Sequence, residues 1–145
     1  MNASLLVTAH EQHLTAENAG GLLQGVQIVV DCLDNIASRF TLAAVAKLAG
    51  LLLISGAVAG LCGHVTTIYP QDQGMASVYG PLEKLQSTKG AQVTLGCLPQ
   101  AVLLIASVEA AETLKVLLGK TQQVLHERLM MIDLNDNSFE ILRLN

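Results

Sequence analysis

The sequence predicts an α/β fold in which a sheet begins with parallel strands and ends in an antiparallel hairpin. Residues 26–30 form a short β-branched run, typical of a strand buried on both faces, and a helical pattern follows over 38–48. Strand, polar turn and helix in this order are half of a βαβ unit. Near the end, strand-like runs over 129–134 and 139–144 flank the turn Asn135-Asp136-Asn137, which indicates a hairpin.

Composition narrows the classes of protein that this chain can belong to. With 145 residues, 51% of them hydrophobic and none of them Trp, the chain predicts one domain with an aliphatic core. A net charge of −4 argues against a nucleic-acid partner, which would require a basic face. Three cysteines without a CxxC pair favour free thiols and a cytoplasmic location, and the first residues do not resemble a signal peptide.

The elements around the central strand follow from local patterns. We expect a short first strand at Leu5-Leu6-Val7, then a short helix that Thr15 caps and Gly25 ends. Further strands are predicted at 51–54, where Ser55-Gly56 would lead the chain out of the sheet, and at 65–69. A polar loop is expected over 71–89, and loops of that length are usually functional or mobile.

The last long helix is predicted to begin at Pro99 and to end at Gly119. Its first half is strongly apolar, and Glu109 shares a face with Val102 and Ile105. Glu109 is therefore either a polar residue at the end of an apolar stripe or a site residue.

The stretch 42–62 also allows a membrane span, because it is nearly all apolar, with Lys47 as its only charge. Gly50, Gly56 and Gly60 interrupt it, and its period changes from helical to strand-like after Gly50. A helix followed by a buried strand explains both features, so we expect no membrane partner.

The turn after the central strand carries the residues that predict chemistry. Ligands of open α/β sheets bind beyond the carboxyl ends of the strands, which is where Asp34, Asn35 and Arg39 fall. A carboxylate suits Mg²⁺, and a guanidinium suits phosphate. A structural role is equally open from the residues alone: Asp31 would accept turn amides, Asn35 would cap the helix, and Arg39 would pair with Asp31 or Glu17.

Three segments resemble the signatures of the ThiF/MoeB/HesA family, the relatives of ubiquitin-activating enzymes. Asp34-Asn35-Ile36-Ala37-Ser38-Arg39 is similar to the family's Asp-Asn-x-x-x-Arg motif. Residues 54–64 resemble a Ser-Gly strand with two further glycines, and His64 stands where a glutamine is usual. Residues 109–115 resemble the Gln-Ala-x-Glu-x-x-Lys helix, and the three motifs occur in the family's order.

The resemblance implies a partial Rossmann-like sheet and ATP-dependent adenylation of the C-terminal carboxylate of a ubiquitin-like sulfur-carrier protein. Mg-ATP would be the cofactor, with Asp34 as the Mg²⁺ ligand and Asn35 beside it. Arg39 would neutralise charge on the α-phosphate. The carrier's tail would contact Ser55, Gly56, Gly60 and Gly63. An apolar domain with uncovered strand edges also predicts a homodimer.

The resemblance covers only the second part of the family's domain. We expect residues 1–145 to form a single ThiF-type domain without the N-terminal glycine-rich segment that holds the nucleotide phosphates, because Gly20-Gly21 lies in a helical pattern. The alternative function is therefore a truncated, catalytically incomplete half that binds the carrier and dimerises without its own ATP site.

Two further departures from the family concern zinc and sulfur chemistry. Ala76-Ser77-Val78-Tyr79 replaces the first CxxC pair of zinc-binding members, and a second pair is missing, so we expect no zinc. The reactive cysteine of other members would fall near Gln92. Cys97 is close by, at the start of the long helix, where helix-dipole activation and a buried structural role are both open; we expect the structural role.

Overall fold

The computed structural model describes residues 4–85 and 89–144, and their sheet has five strands in the order β1-β2-β3-β4-β5. β1 pairs parallel to β2, and every later pair is antiparallel. The strands are β1 (Ile28–Asp31), β2 (Leu52–Ala59), β3 (Cys62–Ile68), β4 (Arg128–Asp133) and β5 (Ser138–Arg143). This arrangement confirms the predicted α/β class and the closing hairpin.

Five helices in the described ranges accompany the sheet, and two of them cover its faces. They are α1 (Ala16–Leu22), α2 (Ile36–Leu48), α3 (Ala76–Tyr79), α4 (Gln92–Leu95) and α5 (Pro99–Leu117), with single 3-10 turns at Leu82–Lys84 and Thr121–Gln123. Local signals set the start of α1 and the end of α5 as predicted, whereas α1 ends at Leu22, before Gly25, and α2 begins at Ile36, two residues before the predicted start. Thr15 and Asn18 form a reciprocal capping box on α1, and Gly119 follows α5 with a φ of +69°.

α2 and α5 pack on opposite faces of the sheet, because neighbouring residues of a strand point to opposite sides. Leu53 packs with Leu42 and Ala46 of α2, whereas the next residue, Ile54, packs with Ile105 of α5. All five side chains are buried. Three layers result, and the sheet is the middle one.

Three strand predictions are wrong, one in its existence and two in their extent. Leu5-Leu6-Val7 is not a strand: its side chains are exposed, and it has no strand partner in the described part of the chain. β2 does not leave the sheet at Ser55-Gly56 but continues to Ala59. Gly60, with a φ of +61°, then turns the chain into β3, which begins three residues before the predicted start at Val65.

The predicted loop over 71–89 contains α3 and a 3-10 turn, and its residues 86–88 lie outside the described ranges. The apolar stretch 42–62 divides between the end of α2 and β2. Within 4–85 and 89–144, none of the helices has the length and apolar character needed to cross a membrane.

Candidate functional site

A buried ion pair fixes the turn that follows β1. Asp31 is the last residue of β1 and is fully buried; its carboxylate accepts hydrogen bonds from Leu33 N (3.0 Å), Arg39 Nη1 (2.7 Å) and Ser55 Oγ (2.8 Å). Arg39 reaches back from the first turn of α2 and is itself 6% exposed. Its guanidinium also donates to the carbonyls of Gly56 (2.6 Å) and Leu33. Arg39 therefore holds the turn against both β1 and β2.

The other two residues of the turn motif face different ways. Asn35 caps α2, because its Oδ1 accepts from Ser38 N at 2.8 Å, and its Nδ2 donates to Asp34 Oδ1 at 3.2 Å. Asp34 is exposed, with its backbone carbonyl held by Gln92 Nε2. The structural roles that the sequence left open are thus observed for Asp31, Asn35 and Arg39. The partner of Arg39 is buried Asp31, not Glu17.

A cavity of about 500 Å³ opens at the carboxyl end of β1. It exists because β1 ends opposite Ser55, whereas β2 continues to Ala59 and leaves an edge of four residues beyond its parallel partner. The carbonyls of Gly56 and Val58 face this edge and accept from Arg39 and from Cys97 Sγ (3.6 Å). The wall is formed by the turn 32–36, Arg39, strand residues 56–59, 62–64 and Met131, Tyr79, residues 90–92 and 97, and the inner face of α5.

Two of the predicted tail-contact residues line this cavity, and two do not. Gly56 and Gly63 lie in the wall, and both allow α5 to approach the sheet closely. A Cβ at Gly56 would come within 2.5–2.9 Å of the Glu109 carboxyl group, and one at Gly63 within 2.5 Å of Ile105. Ser55 is buried beneath the ion pair, and Gly60 forms the turn at the far end of β2. Contact of these residues with a carrier tail stays a prediction.

Glu109 lies in the wall of the candidate site. It projects from α5 into the cavity wall, it is 5% exposed, and its Oε1 has no hydrogen-bond partner among the described residues. Burial raises the pKa of Glu109 to about 7, and the charge of Asp31 adds to this; Arg39 and the backbone of Gly56 act in the opposite direction. The sequence offered this role only as one of two alternatives.

His64 and Tyr79 form a second polar pair in the wall. Tyr79 Oη lies 3.3 Å from His64 Nε2, and the two rings meet edge to face. Burial and the charge of Arg39 lower the pKa of His64 to about 4, so its ring is neutral at pH 7. No sequence pattern predicts Tyr79 as a site residue, because α3 brings it to the cavity from a loop without a regular period.

All three cysteines line the same cavity. Cys97 is exposed at the cavity rim, just before α5 begins, so the expectation that it is a buried structural residue is wrong. Burial and the charges of Glu109 and Asp31 raise the pKa of Cys32, and a hydrogen bond with Asp133 raises that of Cys62. Both of these thiols are therefore protonated at neutral pH.

The polar side chains of the cavity provide only some of the groups that a site for Mg²⁺ and phosphate needs. Mg²⁺ in such sites takes one or two carboxylates together with substrate phosphates, and the exposed carboxylate of Asp34 can serve as one. Arg39 reaches the cavity but already makes three internal hydrogen bonds. Within the described ranges, no cluster of three or more His, Cys, Asp or Glu could hold a metal by itself; the absence of zinc stays a prediction.

A three-layer α/β domain with its cavity at the carboxyl end of the first strand belongs to the Rossmann-like class. The model of the ThiF family matches residues 1–145, and the chain belongs to that family.

The relatives at the sequence level carry enzyme names. The chain is 31% identical to an adenylyltransferase and sulfurtransferase MOCS3 of Culex quinquefasciatus, over 99% of this chain and 33% of the relative. It is 28% identical to a SAMP-activating enzyme E1 of Haloferax volcanii, over 97% of this chain and 51% of the relative. It is 33% identical to a sulfur carrier protein adenylyltransferase of Thermus thermophilus, over 98% and 54%. The chain thus spans a third to a half of the length of these relatives.

The fold is also found among solved structures. A crystal structure of selenomethionine-substituted PaaA matches 90% of this chain and 39% of its own, with a TM-score of 0.63 and 11% sequence identity. This likeness concerns the fold alone.

Proposed function

We propose that this chain forms part of an enzyme that uses ATP to adenylate the C-terminal carboxylate of a ubiquitin-like sulfur-carrier protein. The family and the names of the relatives from Thermus thermophilus and Haloferax volcanii support this activity. The observation that carries it is the cavity at the carboxyl end of β1, where the exposed carboxylate of Asp34 adjoins the free edge of β2.

In the proposed reaction, a carboxylate oxygen of the carrier attacks the α-phosphorus of ATP. An acyl–phosphate bond forms, the bond between the α-phosphorus and the bridging oxygen breaks, and pyrophosphate leaves. Mg²⁺ bound at Asp34 would neutralise the phosphate charge. Asn35 orients Asp34 through its hydrogen bond, and Arg39 holds the turn in place and adds positive charge at the cavity.

The carrier's tail would enter as an extended chain beside β2. Gly56 and Gly63 let α5 approach the sheet at this point, and the β2 edge beyond Ser55 offers backbone groups to a neighbouring strand. We also propose that the protein acts as a homodimer in the cytoplasm.

A second candidate is a carrier-binding half without its own ATP site. It is favoured by Gly20 and Gly21, which lie inside α1 and not between a strand and a helix N-terminus. These glycines therefore do not present successive amides to phosphates.

Carrier-dependent exchange of labelled pyrophosphate into ATP tests the proposal. The assay uses the protein that carries this chain together with its sulfur carrier, and carrier binding is measured in parallel. Exchange supports adenylation, and binding without exchange supports the second candidate. A chain that neither binds the carrier nor exchanges pyrophosphate contradicts both.

A further inference from the structure

Two glutamates one turn apart on α5 differ in how their carboxylates are used. Glu112 is 1% exposed, and both of its oxygens have partners: Oε2 accepts from Thr67 Oγ1 (2.8 Å) and Leu125 N (2.6 Å), and Oε1 accepts from Lys115 Nζ (2.5 Å). Glu109 is 5% exposed, yet its Oε1 has no hydrogen-bond partner in the described part of the chain. A buried polar atom without a partner costs free energy, so its retention points to a ligand.

The fold makes room for this unpartnered oxygen. Any side chain at position 56 would collide with the Glu109 carboxyl group, and glycine avoids the collision. The carboxylate then lies over β2 at the point where the edge loses its strand partner, in the wall of the 500 Å³ cavity. The missing partner must therefore be a hydrogen-bond donor that enters the cavity along this edge.

The exposed edge of β2 indicates which kind of group donates a hydrogen bond to Glu109. Gly56 and Val58 turn their carbonyls toward the cavity, where each already accepts one hydrogen bond, from Arg39 and from Cys97 Sγ, and they alternate as in a strand beside which an extended chain can lie. An extended peptide directs every second N–H to the same side, at intervals of about 7 Å. The cavity wall is otherwise largely apolar, with the charge of Arg39 already paired to Asp31. These features favour a neutral peptide N–H over a cation.

We propose that Oε1 of Glu109 accepts a hydrogen bond from a backbone N–H of the extended tail bound along the β2 edge, which makes Glu109 a tail-binding residue. The inference rests on the proposed function, because it takes the tail as the occupant. It extends that function by assigning the tail a specific acceptor, at the place where the family's helix motif has glutamine.

The test removes the donor and the acceptor separately. The probe is a fluorescent hexapeptide of alanine and glycine with a free C-terminal carboxylate, together with analogues that are each N-methylated at one amide. Binding to the 145-residue chain is measured by anisotropy for the wild type, for Glu109→Met, which keeps the side-chain length, and for Glu140→Met, an exposed control on β5. Thermal melting confirms that each variant is folded.

We expect one position at which N-methylation weakens binding to the wild type and to Glu140→Met about tenfold or more. Methylation at the same position should not weaken the binding of the peptide to the Glu109→Met variant. Equal methylation effects in the wild type and Glu109→Met would overturn the role of Glu109 and leave the proposed function standing. Unchanged peptide binding by Glu109→Met, together with loss of pyrophosphate exchange when the same variant is made in the protein that carries this chain, would assign Glu109 to the nucleotide and would also overturn it. A peptide that does not bind the wild type overturns the inference, and the exchange assay then decides on the function separately.

Discussion

Arg39 Nη1 lies 2.7 Å from Asp31 Oδ2, and this ion pair joins the end of the first strand to the first turn of α2. Both side chains are less than a tenth exposed. The turn between them carries Asp34, so the geometry of the candidate Mg²⁺ ligand depends on the pair. Arg39 therefore acts on the site at least through the backbone that it holds.

Removing one member of this pair should destabilise the fold. Arg39→Met leaves the Asp31 carboxylate buried and without its counter-charge, and we expect the free energy of unfolding to fall by about 3–5 kcal/mol. Urea denaturation followed by circular dichroism measures the change. Lys47→Met is the control, because the hydrogen bond from Lys47 to the Asp72 carbonyl is exposed to solvent. Equal stability of both variants would show that the pair is not needed for the fold.

Asp34→Ala should separate stability from activity. Asp34 is exposed and lies outside the helix cap, so its loss should change the free energy of unfolding by no more than about 0.5 kcal/mol. In the protein that carries this chain, pyrophosphate exchange should fall about 100-fold or more, because the variant lacks the proposed Mg²⁺ ligand. Glu140→Ala serves as the control. Pyrophosphate exchange near the wild-type rate would contradict the proposed role of Asp34 as the Mg²⁺ ligand.

The sequence predicts the parts of this structure that depend on local signals. The first strand, the Asn35 cap and the proline and glycine at the ends of α5 follow from residues a few positions apart, although this strand spans Ile28–Asp31 and leaves Val30 39% exposed, where the sequence predicts burial on both faces. The residue at which β2 ends does not follow from such local signals. Ser55-Gly56 resembles an exit from the sheet, but Gly56 instead accommodates Glu109 from a distant helix, and the strand continues.

The same distinction holds for the candidate site. Asp34 and Arg39 are found from their motif, whereas the burial that joins Arg39 to Asp31 is not visible in the sequence. The pairing of His64 with Tyr79 depends on how α3 folds over the sheet, and no periodic pattern in that loop predicts it.

Glu109 and Glu112 should respond to neutralisation with opposite signs. The pKa of Glu109 is raised to about 7 by burial, with Asp31 and Arg39 facing it from β1 and α2. The unfolded chain releases this proton near pH 4.5, so the folded state holds more protons between the two values and loses stability as the pH rises. Glu109→Gln should therefore stabilise the fold by up to about 3 kcal/mol above pH 7 and have little effect below pH 4.5.

Glu112→Gln is the matched comparison on the same helix. It removes the ion pair with Lys115 and weakens the bonds from Thr67 and Leu125, so we expect a loss of about 2 kcal/mol or more at pH 7. Urea denaturation of both variants and the wild type between pH 4.5 and 8 provides the measurement. A destabilised Glu109→Gln protein at pH 8 would mean that Glu109 has a structural partner.

The outer face of α5 and the second hairpin strand should mediate self-association. Leu103, Leu114 and Leu118 of this helix and its end are 58–69% exposed. Phe139 and Ile141 are also more than half exposed, and they pair with Ile132 and Met130, which pack on the α5 side of the sheet. Both apolar sets therefore lie on one side of the molecule, where a second copy can cover them.

Sedimentation at micromolar concentration should show a dimer or a larger oligomer. Leu114→Lys combined with Phe139→Lys should shift the protein toward the monomer, because charges in an apolar interface lack partners. Leu48→Lys is the control, since Leu48 is 87% exposed at the end of α2 on the other face of the sheet. A monomeric wild type, or equal effects of both variants, would contradict this surface as the interface.

The 145-residue chain by itself should bind Mg-ATP weakly. Gly20 and Gly21 lie within α1, and a Cβ at either would meet no described atom within 4 Å. Glycine is therefore not needed at either position for close contact with another part of the protein. A phosphate cradle uses several backbone amides at a helix N-terminus, each worth about 1.5–3 kcal/mol as a charge-assisted hydrogen bond. Asp34 and a largely satisfied Arg39 do not replace them, so isothermal titration should show no saturable binding below about 1 mM. The Asp34→Ala variant should release even less heat than the wild type when it is titrated with Mg-ATP, because it lacks the carboxylate available to Mg²⁺. Micromolar binding by the wild-type chain would show that these 145 residues contain a nucleotide site that does not need a glycine-rich turn.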